Sequence, residues 1–387
     1  RNSSLVISGL QLVCRTYESD LNASSSILRR CLEPNHVLQH GHEELFCFAQ
    51  EIERLITVDP QFVEDVYRVT FTMMDNSDET TVMGGSRILR MSSTRRQDFQ
   101  MARYSLASEY GAFIKHAPVN ALRALIASLD TYHSERYSYW TNATSNEGTF
   151  DFAGQVARLK ADRSEVWANR NDAGNHEEPL RMLYVFAEYL NQLCSDAEKA
   201  SERKNLLNVI VTENSAAVIW RLLLQTATRH PQSLGLDICP LAWAFPILGC
   251  DDTSQPVGEY LRVVFPLFTT EEKRRTEQAI LSLPKLANEE DREYVERRRN
   301  RLLGCLAEQL IVSEEAQALL KHLRENDNVP PNEPRFHPPV ISSRSFTITD
   351  SLRMDGVPVE EDANQKLLAL LEPVQQFADG FRNSSPT

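Results

Sequence analysis

The stretch Asp59-Pro60-Gln61-Phe62 starts a run in which Phe62, Val66, Val69 and Met73 recur at helical spacing. Proline suits the first turn of a helix, because its missing N–H would have no partner there and its fixed φ matches the helix. Three similar starts follow, each with a small or polar residue and a proline or a close substitute: Ala117-Pro118-Val119-Asn120, Asn214-Ser215-Ala216-Ala217 and Gln255-Pro256-Val257-Gly258. Repeated helix starts of this kind predict helices stacked in pairs.

The composition also favours helices. The 387 residues include 14 glycines, about half the usual share, and α/β folds need glycine at many of their turns. Together with the repeated helix starts, this predicts an all-α fold. We expect an α-solenoid of stacked antiparallel helical pairs, similar to HEAT or tetratricopeptide arrays, with a long insertion and a proline-rich C-terminal connector.

Charge, hydropathy and cysteine content restrict the classes of partner and the cellular compartment that we expect. A formal charge of −13 argues against nucleic acid, because phosphate binding relies on a basic surface. The longest apolar stretch, Ile238 to Cys250, is too short to cross a bilayer, so no membrane partner is expected. The seven cysteines include no C-x-x-C pair and favour a reducing, cytoplasmic compartment.

Changes in the apolar pattern divide the chain into five parts. These are N-terminal helical repeats at 1–138, an insertion or loop at 139–178, C-terminal helical repeats at 179–325, an extended connector at 326–358 and a terminal helix at 359–380. The insertion lacks a sustained apolar period, although 152–168 fits one helix. Because the chain starts at Arg1 and shows no signal peptide, we expect it to be a piece of a longer protein.

A cluster of arginines is the first candidate binding site. Its members flank Gly84-Gly85 and the helix that follows: Arg87, Arg90, Arg95, Arg96 and Arg103. Guanidinium groups and free backbone amides both favour anions, so the cluster is suited to a phosphate or to the carboxylates of a partner. Alternatively, these arginines only pair with acidic neighbours in an acidic protein.

Two tryptophans of the insertion, Trp140 and Trp167, form the second candidate site. Aromatic side chains are enriched at binding hot spots, and these two stand among polar residues. They are therefore candidate anchors for a partner protein. The alternative is that they fasten the insertion to the helices beneath it.

The densest group of metal-ligand residue types contains Cys31, His36, His40 and His42. His36 and His40 would share a helix face at i and i+4, which is a spacing that zinc ligands use. Against a metal site, the sequence has no H-E-x-x-H, and the histidines also suit the last turn of a helix ending near Gly41. Since the P-loop pattern is absent too, we predict no metal, cofactor or catalytic residue in this segment.

Several short motifs carry a resemblance to a known group of proteins. They are Met83-Gly84-Gly85-Ser86-Arg87-Ile88-Leu89, Arg95-Arg96-Gln97-Asp98-Phe99, Ala117-Pro118-Val119-Asn120-Ala121-Leu122-Arg123-Ala124-Leu125, Arg229-His230-Pro231, Phe265-Pro266-Leu267 and Asp355-Gly356-Val357-Pro358-Val359. With these motifs the chain resembles a C-terminal helical region of large bacterial STAND-type P-loop NTPases. The resemblance implies that ATP and magnesium bind in a separate domain, while the helical repeats recognise a trigger such as a viral protein and recognition drives self-assembly.

We therefore expect a non-catalytic segment that recognises a protein or serves as a scaffold within a larger antiviral-defence or signalling NTPase. The partner would be a protein, such as a viral one or another copy of the chain. One alternative is a metal-dependent helical enzyme that uses Cys31, His36, His40 and His42. Another is a purely structural scaffold between domains.

Overall fold

The computed structural model describes residues 3–73, 94–137, 147–168, 177–286, 288–334, 352–353 and 357–383. By its internal contacts the chain divides into unit 1, residues 1–337, and unit 2, residues 338–387. Within the described ranges, no helix combines the length and the apolar character that crossing a bilayer requires.

Helices dominate the described part of unit 1, which confirms the predicted all-α class. The first ten are α1 (Ser3–Arg15), α2 (Leu21–Cys31), α3 (Pro34–Gln50), α4 (Ile52–Val58), α5 (Pro60–Thr72), α6 (Thr94–His116), α7 (Pro118–Tyr137), α8 (Ser164–Trp167), α9 (Glu178–Ser195) and α10 (Ala200–Glu213). They continue with α11 (Ala217–Arg229), α12 (Phe245–Gly249), α13 (Asp251–Val264), α14 (Thr270–Ser282), α15 (Arg292–Cys305) and α16 (Glu314–Glu325).

Six of the helices from α3 to α10 pack in two rows. In one row α3 packs on α6, and α6 packs on α9; in the other, α5 packs on α7, and α7 packs on α10. Two tyrosines help to fix these rows, because the Tyr67 hydroxyl donates to the Leu106 carbonyl at 2.6 Å and the Tyr110 hydroxyl donates to the Ala121 carbonyl at 3.0 Å. The predicted stacking of helices is present over this stretch, and the finer assignment to a HEAT-like or tetratricopeptide-like solenoid stays a prediction.

Three of the four proline-led or proline-like helix starts coincide with real helix starts. The Asp59 side chain accepts from the Phe62 N–H at 2.9 Å, which caps α5 with Pro60 in its first turn. Helix α7 begins at Pro118 and α11 begins at Ala217. These three stretches therefore start helices, as the sequence predicts.

The fourth predicted start, at Pro256, is wrong. Helix α13 begins at Asp251 and continues through Pro256, whose ring nitrogen cannot donate to the carbonyl of Asp252 one turn earlier. That carbonyl instead accepts a hydrogen bond of 2.8 Å from Nη1 of the buried Arg221 on α11. A side chain from a neighbouring helix thus replaces the missing backbone donor.

Much of the stretch 152–168, which fits one helix by sequence, belongs to a β-hairpin, and only Ser164–Trp167 is helical. The strands of the hairpin are β1 (Glu147–Phe152) and β2 (Gln155–Lys160), which pair antiparallel with Phe152 opposite Gln155. The turn passes through Ala153 at φ 53° and Gly154 at φ 88°. Buried and exposed residues alternate along both strands, and this period of two belongs to a half-buried hairpin and not to a helix.

The hairpin is packed into the helices around it. The rings of Phe150 and Phe152 lie 5.4 and 6.4 Å from that of Trp220 on α11, centroid to centroid. The Trp220 indole N–H donates to the Arg158 carbonyl at 2.8 Å. The described part of the expected insertion therefore contributes to the core of unit 1.

The described part of unit 2 includes the long helix α17 (Asp362–Asn383). Leu367, Leu370 and Leu371 are exposed on it at 59, 72 and 46%. Their i, i+3 and i+4 spacing places them on one face of the helix.

Candidate partner-binding surface

The structure places only part of the predicted arginine cluster. Arg87, Arg90 and Trp140 lie outside the described residues, and Arg95 is in the first turn of α6 with an undescribed side chain. Arg96 follows in the same turn and is exposed. The predicted anion site at these arginines therefore stays a prediction.

Arg103, the last member of the cluster, caps a helix. It donates to the carbonyls of Thr70 and Met73 at 3.1 and 2.8 Å, where α5 ends. Its guanidinium also lies 5.9 Å from the ring centroid of Phe71. Carbonyl groups in the last turn of a helix have no backbone N–H donor within the helix, and the Arg103 guanidinium donates to them instead. Arg103 therefore has a role inside the fold, and its predicted contact with a partner stays a prediction.

Trp167 is also internal. Its side chain is 2% exposed, and its indole N–H donates to the Asp162 carbonyl at 2.7 Å. The ring meets that of Tyr132 on α7 at a centroid distance of 5.5 Å. Trp167 thus fastens the chain after β2 to the helices, which is the alternative that the sequence left open, and a partner cannot reach it.

The histidine group does not form one four-residue cluster. Helix α3 continues past Gly41 to Gln50, so the predicted helix end near Gly41 is wrong. The rings of His36 and His40 lie 5.1 Å apart, whereas His42 points to Phe99 on α6 at 6.5 Å. His42 therefore lies apart from His36 and His40.

A different surface joins exposed side chains of α6 and α9. We call it the α6–α9 surface and define it by Met101, Tyr104, Ser108, Arg181 and Tyr184. Met101, Tyr104 and Tyr184 are 51, 51 and 43% exposed. The Arg181 guanidinium lies 5.1 Å from the Tyr104 ring centroid and donates to the Ser108 hydroxyl at 3.4 Å. These contacts make the surface continuous across the two helices.

The packing of α6 determines which of its residues face outward. Ala102, Leu106, Tyr110 and Phe113 are buried. Met101, Tyr104 and Ser108 follow one another at i, i+3 and i+7, so they share the opposite, outward side of the helix. This surface is not evident from the sequence, because Tyr104 and Arg181 are far apart in the chain.

The residue types on this surface suit protein recognition. Tyrosine, methionine and arginine are enriched in the centres of protein interfaces, and cation–π contact orders an arginine over a ring. Because Arg181 is already held over Tyr104, it loses less side-chain entropy when it binds a carboxylate. The two tyrosines and Met101 offer apolar area on either side of it.

A pair of buried carboxylates fixes the region between β2, α11 and α13. The Asp252 side chain accepts from the backbone N–H groups of Asp162, Arg163 and Glu165 at 3.0, 3.2 and 3.0 Å. The Asp162 side chain accepts from those of Ser164 and Val218 at 3.0 and 2.8 Å. The two aspartates therefore tie the hairpin to two helices through backbone hydrogen bonds.

Asp162 gives the fold a pH dependence. Burial and the neighbouring charge of Asp252 raise its pKa from 3.8 to about 7. The folded state therefore holds a proton that the unfolded state has released, so this contribution to stability is complete below 3.8 and is lost as the pH rises through 7. We expect the difference in unfolding free energy between the wild type and Asp162→Asn to shrink over that interval, as measured by urea denaturation. A difference that grows with pH would show an ionised Asp162 in the fold.

Comparison with protein-family models, with curated proteins and with solved structures gives no match to this chain. The resemblance to STAND-type P-loop NTPases stays a prediction from short motifs.

Proposed function

We propose that this chain recognises a partner protein and that the α6–α9 surface is the place of contact. The observation that carries the proposal is the Arg181 guanidinium held over the exposed ring of Tyr104 at 5.1 Å. Met101 and Tyr184 extend the apolar area around this pair. The fitting ligand is a protein segment that presents an apolar side chain next to a carboxylate.

The charge of Arg181 specifies the orientation of such a segment, because the carboxylate of the partner would pair with its guanidinium. Apolar contact with Met101 and the two tyrosines would provide most of the affinity, because buried aromatic anchors dominate interface energies. The net charge of −13 then selects against non-specific binding of acidic proteins elsewhere on the chain.

The two rows of helices suit this role. Stacked helical pairs hold an extended surface in a fixed shape, and substitutions on the outer face do not disturb the core. Within a larger NTPase of the STAND type, such a segment would be the sensor or scaffold, while ATP and magnesium would bind in another domain. A scaffold without an external ligand is the competing proposal, and the binding experiment distinguishes the two.

Alanine variants at Tyr104 and Arg181 test the proposed surface. We expect Tyr104→Ala and Arg181→Ala to weaken binding of the partner by at least about tenfold each, since both are of hot-spot type. The partner would be captured from cells that express the chain and identified by quantitative mass spectrometry. Its dissociation constant would then be measured by calorimetry with the purified proteins.

Leu286→Ala is a suitable control, because Leu286 is 65% exposed and lies outside the α6–α9 surface. Arg274→Ala controls for the loss of a guanidinium from an exposed ion pair with Glu271. Equal affinity of the wild type and both surface variants for the partner would reject the α6–α9 surface. A chain that captures no partner would favour the structural scaffold.

A further inference from the structure

Three metal-ligand side chains meet where α2 is followed by α3. Cys31 is the last residue of α2, His36 lies in the first turn of α3, and Glu44 lies two turns further along α3. The thiol sulfur, an imidazole nitrogen and a carboxylate oxygen all lie within 4.8 Å of one another. The His36 Nε2 and a Glu44 oxygen are 2.6 Å apart.

Burial of the Glu44 carboxylate favours a positive charge beside it. Glu44 has a side chain that is 1% exposed, while that of His36 is 31% exposed. A buried carboxylate is costly unless a cation or strong donors compensate for it. The contact of His36 with Glu44 gives that compensation only where the imidazole is charged. A bound divalent cation would provide it as well, with His36 as a neutral ligand.

The set of donors selects the kind of cation. Thiolate and imidazole ligands suit zinc and similar transition metals, and a carboxylate completes many zinc sites. Zinc holds its ligands at about 2.0–2.3 Å, which places neighbouring donor atoms about 3.3–3.8 Å apart in a tetrahedron. The thiol sulfur lies no more than 4.8 Å from the other two donor atoms, which is about 1 Å beyond this spacing, whereas the imidazole nitrogen and the carboxylate oxygen, at 2.6 Å, would move apart by about 0.7 Å.

We propose that Cys31, His36 and Glu44 bind one divalent ion of the zinc class. The exposed side of His36 leaves a route for the ion and room for a water as fourth ligand. The ring of His40 lies 5.1 Å from that of His36. The ion would join the end of α2 to α3 and so brace the first helices of unit 1, independently of the partner surface and without a catalytic role.

Cobalt provides the most direct test, because a cysteine thiolate bound to Co²⁺ gives a charge-transfer absorption in the near ultraviolet. Chelator-treated full chain would be titrated with Co²⁺ and then with Zn²⁺, and bound zinc would be measured by mass spectrometry after dialysis. We expect the absorption to saturate at one equivalent and to disappear when zinc displaces cobalt. Cys31→Ser should abolish the absorption, and His36→Gln should weaken zinc binding by at least about tenfold.

Two variants outside the group are matched controls. Cys305→Ser removes another buried thiol, and His116→Gln removes a histidine at the end of α6, so both should bind like the wild type. Circular dichroism would show whether each variant folds. If Cys31→Ser does not fold, zinc binding by His36→Gln is the deciding measurement. The proposal is overturned if no charge-transfer band appears, or if zinc binding is the same in the wild type and in His36→Gln.

Discussion

Replacement of Asp252 by alanine is expected to lower the free energy of unfolding of the chain by about 3–5 kcal/mol. The change removes the acceptor of three backbone N–H groups, those of Asp162, Arg163 and Glu165. Each buried donor left without an acceptor costs about 1–3 kcal/mol. Asp252 is itself 2% exposed, so water does not readily replace the carboxylate. Urea denaturation followed by circular dichroism would measure the loss.

Asp291→Ala is the matched control for this prediction. Asp291 is exposed and precedes α15 without capping it through its side chain. Its removal should change the unfolding free energy by less than about 0.5 kcal/mol, as is usual for surface positions. If Asp252→Ala were no more harmful than Asp291→Ala, the carboxylate would not be what holds the segment after β2.

The helical part of the fold could be predicted from the sequence because it depends on local signals. Asp59-Pro60 and Ala117-Pro118 each combine a proline with an apolar stripe, and both stretches start helices in the structure. Such signals act within one turn of the chain, so they need no knowledge of neighbours. Pro256 carries the same local signal and gave the wrong prediction, because Arg221 supplies a donor from another helix.

The hairpin and the candidate surface could be predicted less well. Phe150 and Phe152 alternate with exposed residues, which is the pattern of a strand. The strand is short and stands among polar residues, and the two rings pack against Trp220, which is distant in the chain. For Trp167 the sequence left open an exposed anchor or an attachment to the helices, and the side chain is buried against Tyr132, which is distant in the chain. Tyr104 and Arg181 meet only through the packing of α6 on α9, and no local pattern reports such a contact.

The role assigned to Arg221 leads to the second large effect. We expect Arg221→Met to lower the free energy of unfolding by about 3–5 kcal/mol, because it removes a buried cation from the neighbourhood of acidic groups. The charges of Asp252, Asp162 and Glu165 all act on Arg221, whose pKa is nevertheless lowered by burial. In the wild type, Arg221 donates to the Asp252 carbonyl in place of the N–H that Pro256 lacks. The variant removes this donor as well.

The two parts of this loss can be separated by a double-mutant cycle. Pro256→Ala restores a backbone N–H one turn after Asp252, so the Asp252 carbonyl regains a donor within α13. Arg221→Met should therefore cost about 1–3 kcal/mol less in the Pro256→Ala background than in the wild type. Urea denaturation of the four chains would measure this coupling. Strict additivity would mean that Arg221 acts only through its charge, and that α13 tolerates Pro256 for a reason other than the hydrogen bond from Arg221.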